Sequence, residues 1–310
     1  MKIFVGLFFL AVCVSHSQQT RLLSLAFEKD LIPEGIAIDA KAGKVYLNSL
    51  KYGKIVRCNL DGSNPEDFIG PNEHGYLSGF GMTMVGETLY ALGNVLPKNG
   101  NKSILLLLNT ESHQPISKYT IENNQFIYLN DLTVGENEEI YITDSESSDL
   151  YTINKNTNEL EVFFAHDEIK HSNGIAISPN GKLLYLATYT TGIRVLEIAS
   201  KKLLNTPNEH KGIDGLKYHQ DHLYAIVNGR RNPSQNGVFQ FRLNQHESEI
   251  VGAKKMWAFE NPTDIPTTFA LYEDSMYFVS DSQLGNLDQD SNQIIALDEL
   301  KTYQLVQLRL

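Results

Sequence analysis

Cysteine is almost absent from this chain of 310 residues, which has only Cys13 and Cys58. Cys13 lies in an N-terminal leader described below, so the mature chain would keep Cys58 alone. One cysteine cannot form an internal disulfide or supply the thiolate set of a structural zinc site. Because Cys58 lies in the apolar segment Ile55-Val56-Arg57-Cys58, we interpret it as a small buried side chain and not as a catalytic thiol.

Positive charge is also scarce in this chain. It has 26 Lys and Arg against 37 Asp and Glu, and its formal net charge is −11. Nucleic acids and anionic membrane surfaces bind basic protein faces. The composition therefore argues against both as partners.

Long apolar runs are missing after the first residues. Residues 1–17 combine the positive Lys2, an apolar run over 3–14, and the small residues Ser15 and Ser17. The spacing is that of a cleaved signal peptide, and the run is shorter than the about 20 residues that span a bilayer. We predict a signal peptide over 1–17, a single domain over 18–310, no membrane span, and a secreted or periplasmic mature protein.

Helical periodicity and several catalytic signatures are lacking as well. Residues 167–171 resemble one helical turn, and little else repeats every 3.6 residues. The chain has no Gly-x-Ser-x-Gly elbow, phosphate-binding loop or Cys-x-x-Cys pair. Serine-triad, nucleotide and structural-zinc chemistry therefore have no support, and we expect an all-β chain.

What the sequence does contain is one pattern repeated six times: a leading residue, an apolar strand, a turn and a second apolar strand. The clearest copy covers 171–188, with an Asn180-Gly181 turn. The leading residues are Glu34, Phe80, Asn130, Asn173, Asp214 and Thr267, separated by 46, 50, 43, 41 and 53 residues. A period in the forties with four strand-like segments per unit is typical of propeller blades. The sequence therefore predicts a six-bladed β-propeller with four antiparallel strands per blade.

The two ends of the chain are predicted to close this ring. A strand over 22–27 has no partner in its own repeat. In a propeller such a strand completes the last blade and protects its edges. We expect the C-terminal strand 293–297 in the same blade, with 303–308 as a further member.

Four of the six leading residues are oxygen donors: Glu34, Asn130, Asn173 and Asp214. The first strand of each blade lies nearest the axis, so these residues would converge at the mouth of the central channel. Two carboxylates and two amides suit a divalent hard cation, calcium above all, whereas zinc prefers histidine or thiolate. At any one position the alternative is a turn residue that bonds its own backbone. Four equivalent positions favour the metal, because carboxylates brought together without a cation repel each other.

These residues also resemble those of a known family. With Glu34 in Pro-Glu-Gly, Asn130 in Asn-Asp, Asn173 in Asn-Gly and Asp214 in Asp-Gly, the chain resembles the senescence-marker-protein/gluconolactonase/LRE-like family. Its wider relatives are diisopropyl-fluorophosphatase and the paraoxonases. The resemblance implies that the four residues hold a catalytic divalent metal, usually calcium, at which lactones or phosphotriesters are hydrolysed. It also places Asp131 beside the metal.

Two departures from this pattern concern the substrate. Gluconolactonase-type members often have an arginine two residues before the Asn-Asp pair, where it grips sugar hydroxyls or carboxylates, and here that residue is Tyr128. The paraoxonase disulfide is impossible with one mature cysteine. The chain therefore fits the superfamily better than any one activity, and a sugar lactone is disfavoured.

The proton-transfer groups are less well defined by the sequence. Asp214 and Asp131 are candidates for general base or nucleophile, although a metal-bound carboxylate is a poor base. His171, two residues before Asn173, is a candidate proton shuttle at the rim. Its alternative is a solvated loop histidine, and the same alternatives apply to His74.

The second strand of each blade returns to the same face of the ring as the leading residues. We expect its last residues around the pocket, namely Asn48, Asn94, Asp144, Tyr189, Asn228 and Asp281. Tyr76, Phe80, Tyr128 and Tyr189 could form an apolar wall. Asp144 and Asp281 have the alternative role of turn aspartates. The predicted substrate pocket comprises Phe80, Tyr128, Asp144, Tyr189, Asn228 and Asp281.

The sequence thus favours an exported, monomeric, calcium-dependent hydrolase of a small lactone or other ester-like substrate. One alternative is a non-catalytic propeller with a structural metal that binds a ligand or protein. Another is a propeller with altered chemistry, as in strictosidine-synthase-like proteins, in which the metal is structural or lost. Fold alone does not choose among them.

If a metal binds only the folded ring, its removal should destabilise the protein. At a free metal concentration 100 times the dissociation constant, binding contributes about 2.7 kcal/mol. We expect excess chelator to lower the melting temperature in differential scanning calorimetry, and added calcium to restore it. An unchanged melt in excess chelator would count against a tight metal site.

Overall fold

The computed structural model describes residues 20–97, 100–122 and 126–310. The predicted signal peptide, residues 1–17, lies outside these residues. Strands dominate the described chain, and its helical turns are short 3₁₀ segments such as Asp167–Ile169, which lies within the turn expected at 167–171. No helix in the described ranges has the length and apolar character needed to cross a membrane.

The strands form six antiparallel four-stranded sheets, as predicted for a six-bladed propeller. Strand β1 (Thr20–Leu25) begins the described chain, and blade one follows with β2 (Ile36–Asp39), β3 (Lys44–Asn48), β4 (Ile55–Asn59) and β5 (Glu66–Ile69). Blade two contains β6 (Ser78–Val85), β7 (Thr88–Asn94), β8 (Lys102–Asn109) and β9 (Pro115–Glu122). Blade three contains β10 (Leu129–Val134), β11 (Ile140–Asp144), β12 (Asp149–Asn154) and β13 (Glu159–Ala165).

The later blades repeat this order. Blade four contains β14 (Ser172–Ile177), β15 (Leu183–Thr188), β16 (Gly192–Glu197) and β17 (Lys202–Leu203). Blade five contains β18 (Ile213–His219), β19 (His222–Val227), β20 (Gly237–Leu243) and β21 (Ile250–Trp257). Blade six begins with β22 (Ala270–Tyr272) and β23 (Ser275–Val279). A hairpin of β24 (Leu287–Asp288) and β25 (Gln293–Ile294) precedes the last strand, β26 (Tyr303–Arg309).

The core lies between the blades, on both faces of their inner strands. Strand β15 has the continuous apolar sequence Leu-Leu-Tyr-Leu-Ala-Thr, and all six residues are buried. The outermost strand β9 alternates exposed and half-buried residues, as expected for a strand with one face in water. The first strands of successive blades contact each other around the axis. This arrangement brings residues from distant parts of the sequence to the same end of the channel.

Blade six closes the ring with both ends of the chain, as predicted. Its strand order is β1-β26-β23-β22, and Leu25 pairs with Tyr303. The prediction that 293–297 belongs to this blade was wrong. Gln293–Ile294 instead pairs with Leu287–Asp288 in the separate hairpin, and Ile295 and Leu297 are mostly exposed. Strand β26 instead pairs with β23 through five residues and with β1 through six, so it joins both ends of the chain in one sheet.

Ring closure can be tested with two leucines of the same strand. Leu25 is fully buried in β1, whereas Leu22 is 44% exposed. We expect Leu25→Ala to lower the free energy of unfolding by about 2–5 kcal/mol, because it leaves a cavity between β1 and its neighbours. Leu22→Ala should change it by no more than about 0.5 kcal/mol. Equal effects of both substitutions in urea unfolding would contradict the closure.

Candidate metal and substrate site

Four of the six leading residues lie at irregularities of the first strands. In blades two to five, the pairing of the first and second strands shifts register at this position, between Gly79 and Met82, Leu129 and Leu132, Ser172 and Ile175, and Ile213 and Leu216. A β-bulge leaves a residue out of the ladder and re-aims its side chain. The residues inside these bulges include Phe80, Asn130, Asn173 and Asp214. The same type of β-bulge therefore places these four side chains at the mouth of the channel.

Small residues directly behind the leading positions let neighbouring blades approach closely. A methyl group added to Gly35, Gly81 or Gly174 would lie 2.1, 2.6 or 2.3 Å from the carbonyl oxygen of the next blade's leading residue. Contacts below 3.0 Å are not tolerated by real side chains, so these positions require glycine. Blade three has Asp131 at this position, and its side chain enters the channel.

Polar side chains join consecutive blades at the same level. Asn48 Oδ1 accepts hydrogen bonds from the backbone N–H groups of Gly35 (2.8 Å) and Glu34 (3.4 Å), and Asn48 Nδ2 donates to the Phe80 carbonyl. Equivalent donors bond the following blade: Asn94 to the Leu129 carbonyl at 2.8 Å, Thr143 to that of Asn173 at 2.6 Å, Asn228 to that of Pro266 at 2.9 Å, and Thr267 to that of Glu34 at 2.7 Å. These bonds fix the spacing of the leading residues.

The four predicted oxygen donors line one cavity. Its volume is about 410 Å³. The lining residues, which we call the candidate site, are Glu34, Leu50, Phe80, Tyr128, Asn130, Ser145, Glu146, His171, Asn173, Tyr189, Asp214, Leu284 and Gln289. All four donors are less than 10% exposed. The structure therefore brings together residues up to 180 positions apart (Glu34 and Asp214) in a pocket of small-molecule size.

Five lining residues were not identified from the sequence: Leu50, Ser145, Glu146, Leu284 and Gln289. Leu284 and Gln289 belong to the excursion between β23 and β26, where the repeat pattern breaks off. Tyr128 Oη donates to Gln289 Oε1 at 3.2 Å, so this excursion packs against blade three. The only sequence signal for this excursion is the interruption of the repeat near residue 282.

Three predicted pocket residues lie behind the lining. Asp144 is fully buried and accepts hydrogen bonds from the backbone N–H groups of Tyr128 (3.2 Å) and Glu146 (2.8 Å). Asp281 accepts from the backbone of Ile265 and Gln283, at 3.2 and 3.0 Å. Both have the geometry of turn aspartates. The third residue, Asn228, donates hydrogen bonds to the Asp214 carboxylate and to the Pro266 carbonyl of the next blade. It therefore positions Asp214 without lining the cavity itself.

The carboxylates of the candidate site are electrostatically strained. Burial, and to a smaller extent the nearby charge of Asp131, raises the pKa of Asp214 to about 7. A hydrogen bond from Asn228 Nδ2 at 2.7 Å acts in the lowering direction. Burial, followed by the charges of Asp214 and Asp131, raises the pKa of Glu34 well above its usual value. Like charges held together in a buried site disfavour ionisation. A bound cation would relieve this repulsion.

Lys217 supplies a positive charge within the channel. Its Nζ lies 3.3 and 3.2 Å from the two carboxylate oxygens of Asp131, and both side chains are largely buried. Lys217 also lines a second cavity farther along the channel, between apolar residues of the first strands. Its charge lowers the pKa of Glu34. No pattern in the sequence predicts this role, because the residues next to Lys217 on its strand do not indicate that it points inward.

His171 lies on the rim with one ring nitrogen engaged. Its Nδ1 is 2.7 Å from the Ser145 carbonyl oxygen. Because a carbonyl only accepts hydrogen bonds, we assign the proton to Nδ1, which leaves Nε2 as the basic nitrogen. His171 has a φ of 58°, in the left-handed region. The histidine is therefore held in a defined orientation next to the cavity.

The other histidine considered, His74, is remote from the candidate site. Its Nε2 lies 3.2 Å from the His113 carbonyl in the outer part of blade two, and it does not line the cavity. Tyr76 is also absent from the lining. It is fully buried and its hydroxyl donates to the Leu92 carbonyl at 3.0 Å.

Aromatic side chains form one side of the cavity. Phe80 and Tyr128 pack edge to face, with ring centroids 4.5 Å apart. Tyr189 also lines the cavity, although 44% of it is exposed. Desolvation of its hydroxyl and the charge of Asp214 raise its pKa to about 12, so that the hydroxyl stays protonated at neutral pH, while a hydrogen bond with Asn173 acts in the lowering direction. The site thus combines oxygen donors on the axis with an apolar wall.

The donor set depends on amides as well as carboxylates. Within residues 20–97, 100–122 and 126–310, no three His, Cys, Asp or Glu side chains are gathered closely enough to bind a metal together. A metal at the candidate site would therefore need the amide oxygens of Asn130 and Asn173. Such a set favours a hard cation.

Comparisons with known proteins agree with this architecture. The sequence matches the family described as "SMP-30/Gluconolactonase/LRE-like region" over residues 32–224, more than half of the chain. No match is found among curated protein sequences.

Solved structures share the fold at low sequence identity. Virginiamycin B lyase from Staphylococcus aureus is 17% identical with a TM-score of 0.61, covering 95% of this chain and 100% of that one. A gluconolactonase from Xanthomonas campestris is 14% identical with a TM-score of 0.59, covering 93% and 90%. A luciferin-regenerating enzyme is 14% identical with a TM-score of 0.61, covering 94% and 96%. At these identities the structures establish the fold alone.

The ion pair between Lys217 and Asp131 can be tested by a double-mutant cycle. Lys217→Met should lower the free energy of unfolding by about 3–5 kcal/mol, because it leaves a buried carboxylate without its partner. Adding Asp131→Asn should recover part of this loss. Lys182→Met, at an exposed turn of blade four, is the control. Equally small effects of both lysine substitutions would contradict a buried pair.

Proposed function

The chain belongs to the SMP-30/gluconolactonase/LRE-like family, and we propose that it is an exported, metal-dependent hydrolase of a small lactone or other ester-like substrate. The observation that carries this proposal is the convergence of Glu34, Asn130, Asn173 and Asp214 in one cavity. The export proposal is based on residues 1–17.

The charges at the mouth of the channel fit a divalent cation. Glu34, Asp131 and Asp214 carry three negative charges when ionised, and Lys217 compensates one. The net charge of these four residues is then −2, which a divalent ion would neutralise, and Glu146 in the same lining would add a further negative charge. Calcium takes 6–8 oxygen ligands, so four side chains would leave positions for water and substrate. We propose that Glu34, Asn130, Asn173 and Asp214 hold the ion and that calcium is preferred.

When bound, such an ion polarises a carbonyl or phosphoryl oxygen and stabilises the charge that develops on it. The chain's own residues would do the rest. Phe80 and Tyr128 would pack against the apolar part of the substrate and limit access of water. His171 Nε2 would accept a proton from the attacking water, since Nδ1 is bonded to Ser145.

We prefer His171 over the two aspartates as general base. Asp131 is paired with Lys217 and does not line the cavity. Asp214 is bonded by Asn228 and belongs to the proposed ligand set, where coordination reduces its basicity. His171 lines the cavity with one nitrogen available for proton transfer.

The experiment is hydrolysis of a panel of lactones and phosphotriesters with and without calcium. We expect turnover of at least one lactone or ester, its loss on chelation and its recovery with calcium. Glu34→Gln and Asp214→Asn should each lower kcat/KM at least about 100-fold, the upper range for residues that only support metal ligands. Glu136→Gln, an exposed carboxylate at the far end of blade three, is the matched control.

The same experiment distinguishes the hydrolase from the main alternative, a non-catalytic binding propeller. If calcium raises the melting temperature but no substrate in the panel is hydrolysed, a binding propeller with a structural metal is favoured. If calcium changes neither turnover nor melting, the metal proposal is contradicted.

A further inference from the structure

We propose that the natural substrate carries an anionic group, a carboxylate or a phosphate, that binds in a cationic cavity beside the candidate site. This inference rests on the proposed function and specifies its substrate class. The cationic cavity is formed around Lys211, Arg230 and Arg231 on the rim of blade five, and it shares Tyr189 with the candidate site.

The charge of this cavity contrasts with its surroundings. It has a volume of about 740 Å³, and its lining includes the three cations but only one carboxylate, Glu209. The lining of the candidate site contains Glu34, Glu146 and Asp214 and neither lysine nor arginine. In a chain with a net charge of −11, these three cations form a local positive patch, and such a patch attracts anions.

The cations are available for a ligand. Among the described residues, no carboxylate lies within ion-pair distance of Lys211, Arg230 or Arg231. Lys255 lies nearby, where burial and the charge of Arg230 lower its pKa. Uncompensated cations repel each other, and a bound anion would remove that repulsion.

The backbone beneath the cavity is fixed by two glycines. The N–H groups of Asn228 and Gly229 both donate to the Gly212 carbonyl at 3.0 Å. A methyl group on Gly212, which has a φ of 72°, would lie 2.8 Å from the Gly229 carbonyl carbon. A methyl group on Gly229 would lie 3.2 Å from the Tyr189 ring. The loop that carries the arginines is therefore packed directly against the shared wall.

The guanidinium of Arg230 is also held in place. It lies over the Phe239 ring, 4.9 Å from the ring centroid. The backbone N–H of Arg230 donates to Asn236 Oδ1 at 3.2 Å, and Asn236 Nδ2 donates to the Asn228 carbonyl at 2.8 Å. Stacking on an aromatic face orients a guanidinium for bidentate contact with an anion. The cavity thus has a pre-arranged cation and not only flexible surface charges.

One short segment connects the two sites. Asn228 bonds Asp214 of the candidate site, and Arg230 follows two residues later. Two residues span at most about 7 Å of extended backbone. Because the two cavities also share Tyr189, a substrate with its ester group at the candidate site and an anionic substituent at its other end could contact both.

The test uses three acetate esters on one scaffold: neutral phenyl acetate, 4-acetoxybenzoate and 4-acetoxyphenyl phosphate. The wild-type protein, with calcium, should have a KM for at least one anionic ester about tenfold below that for phenyl acetate. In the double variant Lys211→Gln/Arg231→Gln, this KM ratio should rise about tenfold or more. In Arg242→Gln, an exposed arginine on β20 that does not line the cavity, the ratio should stay at its wild-type value. Which anionic ester is preferred distinguishes carboxylate from phosphate.

Equal KM values for neutral and anionic esters, or a ratio that the double variant does not change, would overturn the inference. The single variant Lys211→Gln, at an exposed position, replaces the double variant if the latter melts at a lower temperature. If neither these esters nor any member of the lactone and phosphotriester panel is hydrolysed, the proposed function fails, and binding of 4-hydroxybenzoate and phenyl phosphate is measured by NMR titration. Binding lost in the double variant but kept in Arg242→Gln would support the cationic cavity, and absence of binding to the wild-type protein would overturn it.

Discussion

Electrostatic repulsion among Glu34, Asp131 and Asp214 is the constraint on which the rest of the mouth of the channel depends. The three carboxylates come from blades one, three and five and are buried close enough for each to influence another. Burial, and after it the charge of Asp131, raises the pKa of Asp214 from 3.8 to about 7. The stabilising contribution of its protonated form is therefore lost as the pH rises from about 4 to 7. Lys217 offsets part of the repulsion, and a divalent cation would offset the remainder.

The backbone has no freedom to relieve this repulsion by moving the blades apart. Glycines behind the leading residues bring neighbouring strands into close contact, and side chains such as Asn48 and Thr143 bond across each junction. Replacing Asp214 by a neutral residue would remove part of the repulsion, but it would also remove one of the proposed metal ligands. Functional sites commonly retain such unfavourable groups, and the surrounding fold compensates for them.

The fold could be predicted because its signal is distributed over six repeats. Strand alternation, turn residues and spacing agreed in most blades, most clearly in blade four and least clearly in blades two and six, and the leading residues followed from the same alignment. What could not be predicted depends on contacts without a repeat. The excursion that contributes Leu284 and Gln289 has no counterpart in other blades, so no comparison among repeats could locate it. Lys217 and Asp131 are far apart in sequence, and only the curvature of the ring brings them together. Asp144 ends β11 and Asp281 lies just after β23, but their carboxylates accept backbone hydrogen bonds and neither residue lines the cavity.

The charges of the rim divide the mouth into two regions with different roles. Negative and amide oxygens lie on the axis, whereas Lys211, Arg230 and Arg231 lie beyond Tyr189. The central claim concerns the axis. It is tested most directly by a crystal structure of the protein grown with calcium or manganese, with the ion located by its anomalous scattering. We predict one ion with oxygens of Glu34, Asn130, Asn173 and Asp214 at about 2.1–2.6 Å. An ion bound elsewhere, or none at saturating metal, would contradict the account.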